Sequence, residues 1–331
     1  MKRFTIPALS VFIFSLLFSL NATAKTQLTY SNFFPPTHIQ SQLAEAWIKE
    51  VESRTNGDIT INYFPAGTLT KAPQTYDGVV QGIADIGMTV LAYSRGRFPV
   101  ASAIDLPMGY TSGVQATRIA NGILENFAPE EFNDTEIMFL HAHGPGILHT
   151  RGKAVNTLED LKGLKIRGTG TSGNVVAALG GSPVGQSMAE TYQMLQKGVV
   201  DGSVHPVEAN DGWKLGEVVN YMTQNFSTAY TTTFAIFMNK GKWNSLTPEQ
   251  QEIIREINAE FAEKHGQAWD KADELGMAFF NEKGGQVITQ SDEEAQKWAD
   301  QASSVIDDYI KSVSEKGVDG QAVVDYIKAN L

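Results

Sequence analysis

Apolar residues recur along this chain with two periods, and the period changes every few tens of residues. Ile39–Arg54 places Leu43, Trp47 and Val51 four residues apart, the spacing of one helix face, and Gly57 follows as a stop. Ile59, Ile61 and Tyr63 then alternate with polar neighbours, as in a half-buried strand. Gln27–Ser31 is a shorter alternating run, Gln74–Gln81 has a helical pattern, and Gly82–Val90 holds another strand. Ala116–Phe127 predicts a helix and Glu136–His141 a strand. From about Gly146 the series restarts, with strands at Ile147–Arg151 and Lys165–Arg167 and helices at Ser172–Leu179 and Ala189–Gln196. Two such series in succession predict an α/β protein of two lobes, with helices covering sheets that contain parallel pairs.

Thr231–Met238 is rich in β-formers and predicts a strand crossing back between the lobes. The longest helical signal opens at Thr247-Pro248-Glu249-Gln250. Thr247 suits an N-cap, Pro248 the first helical position, and Gln250 closes a capping box. Apolar positions from Ile253 to Phe279 sustain the pattern, and a helix unbroken to Phe280 would be about 50 Å long at 1.5 Å per residue, enough to span both lobes. Helices near Glu293–Ser312 and Gly320–Ala329 finish the chain. The expected division is a first lobe over residues 25–145, completed by about 236–275, and a second over 146–235, completed by about 276–331. No segment rich in Pro, Gly or Ser separates them, so ordered strands are expected at the crossings.

Composition narrows the function. Lys plus Arg number 26 against 37 Asp plus Glu, a net charge of −11 over 331 residues, which opposes the basic face of a nucleic-acid binder. The chain has no cysteine, which removes disulfides, thiolate catalysis and Cys-ligated zinc or iron–sulfur clusters. Lys2 and Arg3 precede a mostly apolar stretch from Phe4 to about Leu20, and Ala22-Thr23-Ala24 reads as a small-x-small cleavage site. This predicts an export signal over residues 1–24 and a soluble mature chain from Lys25. The apolar run is shorter than the roughly 20 residues of a membrane-spanning helix. A route that exports unfolded chains gives no expectation of a cofactor.

Gly168-Thr169-Gly170-Thr171-Ser172-Gly173 matches G-x-G-x-x-G between a strand and a helix. The preceding strand is short and polar, and no second buried strand leads to Glu190, so a dinucleotide is disfavoured. Helix N-terminal amides receiving an anionic ligand fit better, beside the alternative of a plain flexible turn. Arg167 ends the strand, and its fork suits a carboxylate, although on these residues alone a surface arginine is the commoner explanation. His141, His143 and His149 lack an HExxH motif or paired carboxylates, so no metal is expected. No G-x-S-x-G elbow supports a hydrolase. Phe33, Phe34, Tyr93 and Trp213 fall in loops at predicted strand ends, where open α/β sheets bind ligands.

Several stretches resemble the solute-binding proteins of TRAP (tripartite ATP-independent periplasmic) transporters, of the dicarboxylate-receptor type, along nearly all of the mature chain. They are Glu50-Val51-Glu52-Ser53-Arg54-Thr55-Asn56-Gly57, Phe64-Pro65-Ala66-Gly67-Thr68-Leu69, Asp77–Asp85, Leu158-Glu159-Asp160-Leu161-Lys162-Gly163-Leu164-Lys165-Ile166-Arg167, Glu190–Gln196 and Val199-Val200-Asp201-Gly202. The resemblance implies a two-lobed periplasmic receptor with a ligand cleft between lobes that close by hinge motion. It implies that Arg167 pairs with the carboxylate of an organic acid, which is then delivered to integral membrane subunits. His205 takes the position of a ligand-contacting Asn, and Ile147 stands near where some members carry a second Arg. One carboxylate on an apolar body is therefore expected. Phe33, Phe34, Tyr93 and Trp213 would pack on that body. His143, His205 and Glu208 would be polar contacts, Gly168 and Thr169 would form the turn beside Arg167, and Arg95 is a further basic group available to the cleft. A monomer without catalytic residues is expected. The alternatives are a secreted two-lobed enzyme acting on a small carboxylate, and a binding protein of an ATP-driven transporter; the single long helix from Thr247 favours the TRAP type.

Overall fold

The computed structural model describes residues 25–127 and 129–331; the export signal assigned to residues 1–24 lies outside them. In chain order the elements are β1 (Thr26–Asn32), α1 (Ile39–Arg54), β2 (Ile59–Phe64), α2 (Thr75–Val80), β3 (Ile86–Val90), α3 (Gly113–Phe127), β4 (Thr135–Ala142), β5 (Gly146–Thr150), α4 (Leu158–Leu161), β6 (Lys165–Arg167), α5 (Thr171–Ala178) and β7 (Ser182–Val184). There follow α6 (Met188–Gln196), β8 (Gly202–Pro206), α7 (Ala209–Gly212), β9 (Tyr221–Gln224), β10 (Thr233–Asn239), α8 (Lys240–Ser245), α9 (Pro248–Glu282), β11 (Gln286–Thr289), α10 (Asp292–Ser314) and α11 (Gly320–Asn330).

The strands form two sheets, ordered β2-β1-β3-β10-β4 and β11-β9-β5-β8-β6-β7. Parallel pairing holds for β1 with β2 and β3, for β6 with β7 and β8, and for β9 with β11. The parallel pairs are those expected from strand–helix alternation; the remaining pairs are antiparallel, which alternation alone does not indicate. β10 runs antiparallel to β3 and β4, and β5 antiparallel to β8 and β9. The reason is the route of the chain. It passes from the first sheet to the second between β4 and β5 and returns between β9 and β10. A strand that enters a sheet from the other lobe arrives from the opposite end and lies antiparallel.

The 35-residue α9 makes the third crossing. Its start is the reciprocal capping box: Gln250 N–H donates to Thr247 Oγ1 (3.2 Å) and Thr247 N–H to Gln250 Oε1 (3.0 Å), worth about 1 kcal/mol. Ile254, Ile257, Phe261 and Trp269 enter the core under the first sheet, and Phe280 enters the core of the second. One rigid rod therefore anchors both lobes. Trp47 from α1 seats against it through Nε1–H to Asn258 Oδ1 (2.9 Å). At Gly276 a Cβ would stand 2.1 Å from the Val207 carbonyl, so only glycine lets α9 pass this close to the segment after β8.

Candidate functional site

At the end of β1 the chain turns sharply. Phe34 N–H donates to Asn32 Oδ1 (3.0 Å), and the Phe34 carbonyl accepts from Ala66 N–H (2.9 Å) and Ser41 Oγ (3.2 Å). These bonds hold the backbone so that Phe33 and Phe34 stack on each other at 4.5 Å between centroids. Phe234 from β10 and Trp213 after α7 complete the wall, Trp213 at 5.6 Å from Phe34 and Phe234 at 5.6 Å. Trp269 of α9 backs Phe234 at 5.0 Å. The cavity so walled encloses about 410 Å³, part of it open to solvent, and is also bounded by Val90, Tyr93, His143, Arg167, Thr169, Met188, Pro206, Glu208, Tyr230 and Thr232. Its walls come from both lobes. Aromatic walls with a few convergent polar groups are the usual make-up of a small-molecule site.

Arg167 is the basic group of this cavity. Burial leaves it 4% exposed. Its Nε–H is spent on the Gln186 carbonyl (2.8 Å), and among the described residues no acidic side chain forms a salt bridge with it. The two terminal N–H groups remain for a partner, and a planar fork presenting parallel donors matches a carboxylate. Leaving a buried charge uncompensated is costly, so the empty cavity carries a positive charge that an anion would offset.

Two of the other polar groups, Glu208 and His143, present acceptors to the cavity. Glu208, 3% exposed, binds His38 of the opposite lobe, Nε2 to Oε2, at 3.0 Å. His38 caps α1, accepting Gln40 N–H on Nδ1 at 3.2 Å. The ring proton therefore sits on Nε2 and is donated to Glu208. A Cβ at Gly212 would stand 2.6 Å from Glu208 Oε2 and 2.7 Å from His38 Nε2, so the absence of a side chain there makes room for the pair. Glu208 N–H in turn donates to Asp273 Oδ1 of α9 (2.8 Å). Burial pushes the Asp273 carboxyl up to about 8, the Glu208 N–H bond partly offsets this, and the nearby acids Glu208 and Asp270 add to it. His143 donates from Nδ1 to the Gly144 carbonyl (2.6 Å). Burial holds its ring down at about 4, with that hydrogen bond opposing and Arg167 adding to the lowering. The ring is neutral at pH 7, with Nε2 a lone-pair acceptor. Tyr93 hydroxyl accepts Met188 N–H across the cleft (2.9 Å) and keeps its own O–H to donate. With the His38–Glu208 bond, this contact joins the lobes over the cavity.

Of the residues singled out in the sequence, Phe33, Phe34, Tyr93, His143, Arg167, Thr169, Glu208 and Trp213 converge on this cavity. Three do not line it. His205 is fully buried behind the wall, stacked on His149 at 3.9 Å with neither ring nitrogen hydrogen-bonded. Burial, then the neighbouring His149 ring and Arg167, hold it far below its usual range. Arg95 is exposed and lies with Gly168 along an open groove between residues 91–106, 168–185 and 304–316. Gly168 serves packing, since a Cβ there would come 3.1 Å from Gly173 N. Two of the turn's amides are occupied from within, Gly168 N–H by the Val184 carbonyl and Thr169 N–H by Ser172 Oγ, and of the turn only Thr169 lines the cavity. The anion cradle expected at that helix start is thus not what faces the cavity. Ile147 lies in the core of the second lobe, paired with His205, so it is not the residue that a second ligand carboxylate would meet. Sequence reasoning missed His38, Met188, Pro206, Tyr230, Thr232 and Phe234. A histidine where Ser, Thr, Asp or Asn usually cap a helix was the one local signal for His38.

Two lobes joined by two strand crossings and a shared helix, closing on a buried arginine among aromatics, define a cleft-type solute receptor. The family of bacterial extracellular solute-binding proteins, family 7, matches residues 30–312, and the chain belongs to it. It is an extracytoplasmic receptor of the TRAP class that takes an organic acid to a membrane transporter. Among solved structures, a TRAP periplasmic solute-binding protein from Desulfovibrio salexigens is 33% identical, with 93% of this chain and 96% of that one covered and a TM-score of 0.81. A marine-metagenome TRAP solute-binding protein specific for aromatic acid ligands, solved with metahydroxyphenylacetate, is 30% identical, covering 92% and 98%, with a TM-score of 0.87. The 2,3-diketo-L-gulonate-binding periplasmic protein YiaO of Escherichia coli is 26% identical over 315 residues, 94% of this chain and 95% of that protein.

Proposed function

We propose that the acid is a monocarboxylate with an aromatic or bulky apolar body, held at Arg167 and released unchanged. The observation that carries this is the pairing of one buried arginine without an acidic partner with a wall of Phe33, Phe34, Trp213 and Phe234. Removing the acid's apolar surface from water contributes about 25 cal/mol per Å², and offset aromatic pairs add roughly 0.5–1.5 kcal/mol each. A second carboxylate would be desolvated without a cation, because among the described residues Arg167 is the only Lys or Arg in the cavity wall. The 30%-identical receptor specific for aromatic acids supports the same ligand class. Release without turnover agrees with the wall chemistry: His143 is tied to Gly144 and Glu208 to His38, so neither heads a nucleophile–base relay.

The experiment is a thermal-shift screen of benzoates and phenylacetates against C4-dicarboxylates and uronates, followed by calorimetric titration. A ligand at 100 times its Kd stabilises by about 2.7 kcal/mol, which is readily seen as a rise in Tm. Selective response to the aromatic acids is expected, with the bound acid recovered intact by mass spectrometry. Response only to dicarboxylates or sugar acids refutes the ligand class, and recovery of a converted product refutes simple binding.

A further inference from the structure

Glu208 is an anomaly in a site for an anion. An acidic side chain, 3% exposed, lines the same cavity as Arg167 and has no Lys or Arg partner among the described residues, only His38. Its carboxyl is fixed on one side only: Oε2 takes the His38 proton, and no hydrogen bond reaches Oε1 among the described residues. Oε1 also keeps contact with open space, since it is not among the fully enclosed side-chain atoms that lack a partner. A second acceptor, Nε2 of neutral His143, also lines the cavity. Asp273 takes Glu208 N–H and lies close to the segment after β4, where a Gly144 Cβ would stand 2.2 Å from its Oδ2. Glu208 Oε1 and His143 Nε2 thus offer lone pairs to the cavity and no proton. A bare apolar ligand would leave those acceptors desolvated and unpaired, which is unfavourable by roughly 1–3 kcal/mol per group.

We infer that Glu208 is a specificity-determining residue, and that the ligand carries a hydrogen-bond donor, a hydroxyl or an amine, away from its carboxylate. This rests on the aromatic monocarboxylate reading and extends it. Sites that hydrogen-bond a ligand O–H or N–H discriminate strongly against the analogue that lacks it, because their own buried groups are left unpaired. Because Glu208 also holds His38 of the other lobe, the donor binds at a contact that joins the lobes. The same acidic group turns away a second ligand carboxylate by like-charge repulsion, a role the sequence had assigned to Ile147.

The test is calorimetric titration of phenylacetate and benzoate, their ring-hydroxy and aminomethyl derivatives, and the methyl ethers of the hydroxy acids, against the intact protein and Glu208→Gln. At least one donor-bearing acid should bind tenfold or more tighter than its parent, while its methyl ether, an acceptor only, binds no tighter than the parent. The hydroxy and aminomethyl arms tell the two donors apart. In Glu208→Gln that preference should shrink below threefold, and circular dichroism and the Tm of the unligated variant show separately that it folds. If every parent acid binds the wild type as tightly as its donor-bearing derivatives, the inference is wrong and the ligand class stands. A preference that survives in Glu208→Gln likewise removes Glu208 from the role. If no acid of the series binds, the ligand class falls and the inference with it.

Discussion

Arg167→Lys isolates the fork from the charge. In the wild type Nε–H is committed to the Gln186 carbonyl, which orients the guanidinium and leaves its two terminal nitrogens for the ligand. Lysine keeps the positive charge but brings one nitrogen, so one charge-assisted bond is lost. Such a bond is worth about 1.5–3 kcal/mol, which corresponds to roughly 10- to 150-fold in Kd. The effect on the empty protein should be small: the Gln186 bond goes, but no salt bridge is broken. For a chain of this length 1 kcal/mol moves Tm by about 2–4 °C, and the apo Tm of Arg167→Lys should stay inside that range. Arg167→Met removes the uncompensated buried charge altogether. It should abolish binding while leaving the apo Tm equal to or above the wild type, because an unpaired buried charge opposes folding. Titration with the best acid of the screen measures the first quantity and differential scanning fluorimetry the second. Wild-type affinity in Arg167→Lys would take Arg167 out of the site. A fall of 10 °C in the apo Tm of Arg167→Met would make it a structural strut instead.

Two other perturbations follow from the same geometry. Asp273 has its folded pKa raised to about 8 from 3.8, so the folded state holds a proton that the unfolded state has released; stability therefore falls as pH rises from about 4 to 8, by at most roughly 4 kcal/mol at pH 7. Asp273→Asn keeps an acceptor for Glu208 N–H and lacks this dependence, so its Tm advantage over the wild type should grow between pH 5 and pH 8, and parallel Tm–pH curves would contradict the account. Trp213 is half-buried in the wall and touches both Phe33 and Phe34; Trp213→Ala should cost a large aromatic acid tenfold or more in Kd and a small one such as pyruvate less, as read by titration of both, and equal losses would place Trp213 outside the binding surface.

What the sequence by itself determined is what neighbours along the chain determine. The 3.6-residue stripe bounded α1 at Ile39–Arg54, as the structure has it. The capping box located the start of α9, and its unbroken stripe gave a rod long enough for both lobes. The run ending at Arg167 singled out the arginine that the structure brings to the cavity, and loop position at strand ends picked out Phe33, Phe34, Tyr93 and Trp213 on its wall. Strands of three to five residues were less legible. β7, β8, β9 and β11 show too few alternations to stand out, β8 because it is buried on both faces. Tertiary structure alone decided which of the candidates share a cavity. His38 and Glu208 are 170 residues apart, and no local period links them. Phe234 and Tyr230 reach the wall only because the chain crosses back through β10. His205 was misplaced for the complementary reason. Its match to the position of a ligand-contacting Asn in the family it resembles put it near the ligand, but strand pairing turns its ring inward onto His149. A strand's period fixes that successive side chains alternate, whereas the face that meets the ligand is set by what the rest of the chain packs against the other.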